Sequence, residues 1–319
     1  MKPLRVAVIG VGHMGRFHAE KVAALARTDA SVVLAAVCDR HLDRARAVGD
    51  AHAARATADA REALSVADAA IVAVPTAAHA ELVALALEAG LDVLVEKPIA
   101  TTLAEAEQLV ALAEASGRVL QVGHLEWFNA AMRTVAARAK RPRFFESHRL
   151  GPFPGRSLDI DVVLDVMIHD VDIVQRLVGA EPVRVEALGV PVLTERADIA
   201  NARLTFADGA AATLTASRVS MKPLRKLRFF QLDGYFSIDF LQSSVTIGQR
   251  GAADARGERK VAFETLQIDR EDALANQLRA FVQGVQERRP VAGGGDQGLA
   301  ALRTALRIVE AMPHESTLA

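Results

Sequence analysis

Short apolar runs alternate with longer stretches of helical composition over the first 123 residues. The apolar runs are Leu4–Ile9, Val32–Val37, Ala69–Val74, Asp92–Val95 and Val119–Val122. The stretches between them, rich in alanine, leucine and glutamate, are Met14–Ala26, Leu42–Val48, Ala78–Ala89 and Leu103–Ala115. Nearly continuous apolar runs are typical of strands covered on both faces, as in parallel sheets. The pattern therefore predicts an α/β domain with a doubly wound parallel sheet.

The pattern changes after Gly123. One long helix is predicted over Asp161–Val178, followed by strands without intervening helices, at about 183–193, 199–206, 210–219, 225–232, 235–240, 243–248 and 259–268. Asp208-Gly209 and Asp233-Gly234 are hairpin signals between such strands. Two helices, over about 271–288 and 296–311, are predicted to close the chain, with Gly293–Gly295 as a flexible joint. We expect an α+β domain with a large open, mostly antiparallel sheet, so that residues 1–123 and 124–319 form separate domains.

The composition is that of an ordinary globular protein, since 51% of the 319 residues are hydrophobic and 24% are charged. The formal net charge of −1 provides no overall field for nucleic acid or an anionic membrane. No uncharged apolar run reaches the length of a membrane span, and the first residues do not resemble a secretory signal. The single cysteine, Cys38, cannot form a disulfide within the chain. We expect a cytoplasmic protein without a membrane or nucleic-acid partner.

The segment Gly10–Gly15 (Gly-Val-Gly-His-Met-Gly) follows an apolar strand and opens a predicted helix. In this context the first glycine makes a tight turn, the second lets a pyrophosphate approach, and the third packs the helix on the strand. The backbone amides at the helix N-terminus then face the phosphates. A glycine turn without a ligand is the alternative. The position favours a nicotinamide dinucleotide held by Gly10, Gly12, His13, Met14 and Gly15.

Asp39 ends the second predicted strand, at the spacing expected of a carboxylate that binds the ribose hydroxyls. Its charge repels a 2′-phosphate and favours NAD over NADP. Arg40 has the opposite preference, because an arginine at this point can receive that phosphate. An ordinary surface aspartate is the alternative. We expect NAD as the cofactor, with Asp39 and Arg40 at its adenosine end.

Glu96-Lys97-Pro98 ends a buried strand with two charges and a proline. Ligands of open α/β sheets bind outside the carboxyl ends of the strands, so Lys97 lies where a substrate or cofactor is expected. A glutamate–lysine pair on the rim of the sheet is the alternative interpretation.

The predicted helix over Asp161–Val178 is mostly apolar, with a polar stripe formed by Asp161, Asp165, His169 and Asp172. A largely buried helix needs partners for such a stripe, and a substrate that carries hydroxyl groups would be one. The alternatives are a solvated face and a metal site, and we expect no metal because this spacing of aspartate and histidine is common by chance.

These motifs together, in this order, resemble the Gfo/Idh/MocA oxidoreductases, which include glucose–fructose oxidoreductase and inositol dehydrogenase. The resemblance covers nearly the whole chain and implies an N-terminal Rossmann domain and a C-terminal domain with a large open sheet. It places Lys97, Asp165 and His169 around the substrate. Near the cofactor it places Pro75, Thr76, His79, Glu96, Lys97 and Gln121. This chain has Gly123–Phe128 where many members carry a Gly-x-x-x-Arg-Phe element, which alters the expected substrate pocket and makes His124 a candidate contact.

Four segments, Gln121–Glu126, Glu146–Leu150, Asp165–Asp170 and Asp198–Arg203, resemble a bacterial subgroup, the UDP-N-acetylglucosamine 3-dehydrogenases. This resemblance implies a nucleotide-sugar substrate, whose ketone product feeds a transaminase that makes a 3-amino sugar for lipid A. The loop before the apolar helix offers two candidate ligands for a diphosphate, Arg149 and Arg156, since guanidinium groups suit phosphate oxygens. Two ordinary surface arginines are the alternative.

The expected reaction is hydride transfer from a carbinol carbon to NAD⁺. Lys97 and His169 are the two candidates to take the hydroxyl proton. On the resemblance, His169 is the general acid/base, Lys97 positions and polarises the oxygen or shares the proton, and Asp165 orients the substrate or the histidine. The alternatives are a dehydrogenase of a free sugar or inositol-like polyol, a non-catalytic NAD-binding regulator, and a metal-dependent lyase or hydrolase. A homodimer or homotetramer through the C-terminal sheet is expected, because strands such as Ala210–Ala216 carry few charges.

Overall fold

The computed structural model describes residues 2–153, 155, 160–253 and 256–313. The strands are β1 (Leu4–Ile9), β2 (Val32–Cys38), β3 (Arg55–Thr57), β4 (Ala69–Val72), β5 (Asp92–Val95), β6 (Leu120–Val122), β7 (Phe144–Leu150), β8 (Arg184–Val190), β9 (Ile199–Thr205), β10 (Ala211–Ser217), β11 (Leu224–Gln231), β12 (Gly234–Asp239), β13 (Ser244–Ala253) and β14 (Arg259–Gln267). The α-helices are α1 (His13–Ala26), α2 (Leu42–His52), α3 (Ala60–Leu64), α4 (His79–Glu88), α5 (Leu103–Ser116), α6 (Ala130–Ala136), α7 (Ile168–Val178), α8 (Ala273–Glu287) and α9 (Gly295–Ala311).

The chain forms two compact units, and each unit consists of two separate stretches of the sequence. The first unit contains the residues up to Leu125 together with Asp272–Leu299, and the second contains Glu126–Glu271 and the residues from Ala300 onward. The expected boundary at residue 123 lies close to the observed one, but the expected assignment of 272–299 to the second domain differs from the observed units. Helix α8 packs on α1 through Leu278 and Phe281, which lie in the same core as Val22.

The first unit contains the predicted parallel sheet, with strand order β3-β2-β1-β4-β5-β6. Every pairing in this sheet is parallel. Central residues such as Val8 and Ile71 are fully buried, which explains why these strands are continuously apolar. This order is that of dinucleotide-binding sheets and places the carboxyl ends of β1 and β4 side by side at the point where the strand order reverses.

The triple glycine Gly293–Gly295 is a packing element, so the prediction of a flexible joint was wrong. The amide of Val122 donates to the Gly293 carbonyl at 2.7 Å, and Gln121 and Gly294 form a β-bridge. A Cβ atom on Gly295 would lie 3.1 Å from the side chain of Leu120. The glycines are therefore required because backbone passes directly against strand β6.

The second unit contains an eight-stranded sheet with the order β14-β13-β12-β11-β7-β10-β9-β8. All of its pairings are antiparallel except that of β7 with β10, which confirms the predicted open and mostly antiparallel sheet. One face of the sheet carries the core, where Phe145, Phe229 and Leu214 are fully buried against residues of α6, α7 and α9. Among the described residues, no helix is both long enough and apolar enough to span a membrane.

The predicted helix over Asp161–Val178 is interrupted near its start. Residues Val163–Met167 form a π-helical turn, and the regular helix α7 begins only at Ile168 and ends at Gly179, whose φ is 78°. The wider turn changes the direction of the side chains before Ile168 relative to those after it. A single stripe at regular α-helical spacing therefore does not form along the whole segment.

Candidate active site residues at the strand ends and on the interrupted helix

The glycine-rich loop has the geometry that a dinucleotide requires. Gly10 has a φ of 82°, and a Cβ atom there would lie 2.8 Å from the Ala73 carbonyl oxygen. A Cβ atom on Gly15 would overlap the Gly10 carbonyl, so this glycine lets α1 pack against the loop. At Gly12 a Cβ atom would have no described neighbour within 4 Å. Internal packing thus explains Gly10 and Gly15, whereas Gly12 borders open space, as expected where a pyrophosphate approaches.

The start of α1 leaves its backbone amides available to a phosphate. Among the described residues, no side chain caps this helix at Gly12 and its first turn contains no acidic residue. Within the helix itself, therefore, no acidic side chain of the first turn neutralises the positive end of the dipole. His13 is exposed and its ring contacts Phe17 edge-on at 5.4 Å, while Met14 is half-buried. The loop fits the phosphates of a dinucleotide cofactor.

Asp39 is buried at the end of β2, beside the same loop. One carboxylate oxygen accepts a hydrogen bond from the Val11 amide at 3.1 Å, and the other accepts one from the His41 amide at 3.0 Å. The Arg44 guanidinium also approaches this carboxylate, at 3.3 Å, whereas Arg40 is exposed. Asp39 therefore holds the glycine loop and shares its negative charge with Arg44, a residue that the sequence analysis did not select.

The residues after β4 divide into two groups. Pro75 is exposed and Thr76 is half-buried, so both remain available to a ligand. His79 is 1% exposed, and its two ring nitrogens lie 2.8 Å from the Pro98 carbonyl oxygen and 2.9 Å from that of Val74. Burial lowers the pKa of His79 despite these two carbonyl groups. His79 thus connects the segments after β4 and β5, which argues against the direct cofactor contact that the resemblance implies.

The Glu96-Lys97-Pro98 segment lies at the carboxyl end of β5, as predicted. Lys97 is half-buried, and the peptide bond between Lys97 and Pro98 is cis. Glu96 is held by His18 of α1, whose Nε2 lies 2.7 Å from a carboxylate oxygen of Glu96. His18 lies three residues past Gly15, the last glycine of the loop motif, and carries no signal of its own, so it was not predicted from the sequence.

Gln121 and His124 lie deeper than the sequence analysis expected. Gln121 is fully buried, and its side-chain amide donates to the Ala292 carbonyl at 2.9 Å. It therefore fastens the segment before α9 to strand β6. His124 is 1% exposed. Neither side chain presents a surface to a ligand in this structure, so neither is used in the function proposed below.

The second unit carries Asp165 within the π-helical turn and His169 in the first turn of α7, and both are half-buried. The other two members of the predicted stripe have internal partners. Asp161 accepts a hydrogen bond from the Ala197 amide at 3.1 Å, and Asp172 accepts one from Arg176 at 2.8 Å. The predicted stripe thus reduces to Asp165 and His169. Among the described residues, no group of three or more histidine, cysteine, aspartate or glutamate side chains is placed to hold a metal ion.

Arg149 on β7 is buried within an ion-pair cluster. Its Nε and Nη2 donate to the two carboxylate oxygens of Asp170 at 3.1 and 2.9 Å, and its Nη1 donates to Glu126 at 2.7 Å. Burial alone would lower the pKa of Arg149, but the two carboxylates outweigh it and raise the pKa. This guanidinium is already occupied, which argues against the predicted diphosphate contact. Arg156 lies outside the described residues.

A second buried arginine contacts the start of the interrupted helix. Arg218 donates to the Asp198 carboxylate at 2.8 Å and to the Ile160 carbonyl at 2.9 Å. Asp198 also accepts hydrogen bonds from the amides of 192–194. Burial would raise the pKa of Asp198, but these donors hold it well below its usual range. Two charged clusters, one around Arg218 and one around Arg149, therefore fix the chain on either side of Asp165 and His169.

Two family models match the chain in sequence. Residues 4–124 match the model described as the Gfo/Idh/MocA oxidoreductase family, NAD-binding Rossmann fold. Residues 128–236 match the model of the Gfo/Idh/MocA C-terminal domain. The two matches lie in the first and second unit respectively, and together they cover more than half of the chain.

Individual proteins match over almost the full length. The chain is 39% identical over 306 residues to a UDP-N-acetylglucosamine 3-dehydrogenase of Acidithiobacillus ferrooxidans, a match that covers 96% of each protein. A solved structure of that enzyme, GnnA, superposes with a TM-score of 0.90 and covers 98% of both chains at 38% identity. A myo-inositol 2-dehydrogenase of Thermotoga maritima is 25% identical over 319 residues, covering 94% of this chain and 93% of that protein.

Proposed function

The chain belongs to the Gfo/Idh/MocA family of NAD-binding oxidoreductases, and we propose that it oxidises a ring hydroxyl of a nucleotide-activated sugar to a ketone. Within the family it is a sugar dehydrogenase by its similarity to characterised dehydrogenases. The observation that carries the proposal is the 39% identity, over 96% of both proteins, to a UDP-N-acetylglucosamine 3-dehydrogenase. UDP-N-acetylglucosamine, oxidised at C3, is therefore the substrate that we propose. Its ketone would supply a transaminase that makes a 3-amino sugar, as for lipid A.

NAD is the cofactor that we propose in preference to NADP. The Asp39 carboxylate, buried beside the glycine loop, supports this choice because it repels a 2′-phosphate and accepts hydrogen bonds from ribose hydroxyls. Gly10, Gly12 and the first turn of α1, including His13, Met14 and Gly15, would hold the pyrophosphate. Arg40 and Arg44 lie near Asp39 and reduce the preference without reversing it.

The proposed chemistry assigns separate tasks to Lys97, His169 and Asp165. When bound, the nicotinamide ring supplies the carbon that accepts the hydride. His169 takes the proton from the reacting hydroxyl, because an imidazole titrates near neutral pH and matches this task without a large perturbation. Lys97 donates a hydrogen bond to the same oxygen and stabilises the negative charge that develops there. Asp165 orients the substrate or the imidazole of His169.

Remote binding energy explains why a nucleotide-activated substrate would react faster than the free sugar. Contacts to the nucleotide hold the sugar ring while the hydride and proton leave, so their loss lowers the rate as well as the affinity. Arg149 does not serve in these contacts, because it is buried with Asp170 and Glu126.

The test of this function is NADH formation from defined sugars. The protein is mixed with NAD⁺ and UDP-N-acetylglucosamine, while an aminotransferase and glutamate remove the ketone. N-acetylglucosamine and myo-inositol serve as controls. We expect NADH and an amino sugar from the nucleotide sugar, and much slower reactions of the controls. Activity on inositol alone would leave a dehydrogenase of free polyols, and NAD binding without any NADH would favour a regulator.

We also propose that a second copy of the chain covers the outer face of the large sheet. Four aromatic residues of adjacent strands form a row on that face: Phe144, Phe230, Tyr235 and Phe263. Phe230 is 38% exposed and Phe263 is 67% exposed. Gly248 lies between Tyr235 and Phe263, and the Phe263 ring rests against it. An exposed apolar surface of this kind supports a homo-oligomer, which self-complementary pairing closes as a dimer or tetramer.

A further inference from the structure

His18 and Glu96 form a buried pair directly beside Lys97. His18 is 1% exposed on α1, and the Glu96 side chain is 13% exposed at the end of β5. The distance from His18 Nε2 to Glu96 Oε1 is 2.7 Å. A hydrogen bond of this length to a buried carboxylate is strong, because the carboxylate has few water molecules to replace the donor.

The second ring nitrogen of His18 fixes the direction of this hydrogen bond. Nδ1 is buried, and no described residue forms a hydrogen bond with it. A ring proton on Nδ1 alone would be a buried donor without a described acceptor, and Nε2 would then face the carboxylate without a proton to share. The geometry therefore places a proton on Nε2, so that His18 donates the hydrogen bond to Glu96.

The other oxygen of Glu96 is confined by Gly123. A Cβ atom on residue 123 would lie 2.9 Å from Glu96 Oε2 and 3.1 Å from Glu96 Cα. The Gly123 amide also donates to the Val95 carbonyl at 2.7 Å, which holds the two segments together. The carboxylate is thus enclosed between α1 and the segment after β6, and it cannot rotate away from His18 without disturbing this packing.

The backbone of Lys97 is held from both sides. The residue before it, Glu96, is anchored through its side chain to His18. The carbonyl of the residue after it, Pro98, lies 2.8 Å from Nδ1 of His79. Three groups of charged or titratable character face Glu96: His18 from α1, His79 from α4, and Lys97 on the same segment.

We propose that His18 is a positioning residue of the dehydrogenase, which holds the Glu96 carboxylate fixed and, through it, the segment that carries the Lys97 ammonium group. This proposal rests on the proposed function, in which Lys97 contacts the reacting oxygen. His18 itself touches neither substrate nor cofactor in this account. It acts only through Glu96.

Loss of the His18 donor should shift the pKa of Glu96 in one direction, upward. Burial would raise the pKa of Glu96, but the hydrogen bond from His18 and the charges of His18, Lys97 and His79 outweigh burial and lower it. Without the His18 donor, burial would prevail and the pKa of Glu96 would rise above the ordinary value of about 4.3. Glu96 would then bind a proton in mildly acidic solution, and the neighbour of Lys97 would lose its charge there.

Three variants test the proposed role of His18. His18→Phe removes the donor, His18→Gln replaces the ring with an amide N–H, and His52→Gln on α2 is the matched control outside the pair. We expect His18→Phe to bind NAD like the wild type, while the acid limb of its kcat profile moves upward by about one pH unit or more. We expect His18→Gln to restore most of the wild-type profile, and His52→Gln to leave it unchanged.

A second measurement does not depend on turnover. Between pH 5 and 8, the free energy of unfolding of His18→Phe should fall relative to the wild type as the pH rises, because a group whose folded pKa is raised releases its stabilising proton in this range. His18→Gln should show no such trend. A wild type without turnover would refute the proposed function and leave this measurement valid. A pH-independent difference in stability, or equal loss of activity in both His18 variants, would overturn the proposal.

If His18→Phe does not fold, Glu96→Gln replaces it. An uncharged amide at this position should give the low activity of the protonated pair at every pH, without an acid limb from Glu96. An unchanged profile in Glu96→Gln would equally overturn the proposal.

Discussion

At the residue scale, the proposed reaction depends on two side chains with different tasks, Lys97 at the end of β5 and His169 in the first turn of α7. Lys97→Met should keep NAD affinity but reduce kcat by about 10²–10⁴-fold, the range of a single group that acts on the proton of the reacting hydroxyl. His169→Asn should reduce kcat and flatten the acid limb of the pH profile. Fluorescence titration with NAD and initial rates of NADH formation measure both effects. Turnover of Lys97→Met within about threefold of the wild type would remove Lys97 from the reaction.

Asp39 determines the preference between the two nicotinamide cofactors in this account. Asp39→Ala should weaken the binding of NAD and improve that of NADP relative to the wild type, because it removes an acceptor for ribose and a negative charge. In the wild type the Arg44 guanidinium lies 3.3 Å from the Asp39 carboxylate. Removal of this carboxylate leaves Arg44 able to bind a 2′-phosphate. Titrations of both proteins with both cofactors measure this. A wild type that prefers NADP would show that Arg40 and Arg44 dominate the site.

At the scale of elements, a buried ion pair between Arg149 and Asp170 holds the interrupted helix against β7. Arg149→Met leaves the Asp170 carboxylate buried without its partner and should cost about 3–5 kcal/mol of unfolding free energy. The matched control is Arg143→Met, since Arg143 pairs with Asp208 at the exposed surface and should contribute less than about 1 kcal/mol. Urea unfolding of both variants compares them. Equal losses in the two variants would show that the buried cluster has no special role.

Regular periodicity made most elements predictable, and the departures have physical causes. The glycine loop, Asp39 and Lys97 lie at strand ends in the structure. These positions were predictable because the apolar runs of the sequence end there. Strand β7 was missed, although it pairs with both β10 and β11 in the middle of the second sheet. Its sequence places charged Glu146 and Arg149 among few apolar residues, and Arg149 is buried only because Asp170 and Glu126 neutralise it.

The amino-acid sequence carries no pattern that predicts the π-helical turn or the contacts of His18 and His79. One extra residue in the turn at Val163–Met167 redirects Asp165, and an apolar sequence with acceptable α-helical spacing does not reveal it. His18 and His79 are separated from Glu96 and Pro98 in the chain and meet them only after the parallel sheet has formed. Contacts of this kind depend on tertiary structure, so the roles that the resemblance implied for His79 and Gln121 could be judged only in the structure.

At the scale of the whole molecule, the proposed oligomer depends on the outer face of the large sheet. The expected apolar strand β10 directs Ala212 and Leu214 into the core, so the exposed apolar surface lies instead on the aromatic row ending at Phe263. Phe263→Glu should shift the protein toward monomer, and Glu264→Gln on the same strand is the control. Light scattering at micromolar concentration measures the mass. A wild-type mass near the 34.0 kDa of one chain would contradict the proposed oligomer.

In the proposed reaction the chain moves a hydride from a carbon of a nucleotide sugar to NAD⁺. The most direct measurement uses UDP-N-acetylglucosamine deuterated at C3, with NAD⁺ and the coupled aminotransferase, and determines the mass of the reduced cofactor. We expect NADH that carries the deuterium, because the C3–D bond breaks with its electron pair and only the hydroxyl proton goes to the protein. NADH without deuterium, or no NADH while the protein binds both ligands, would contradict the proposed reaction.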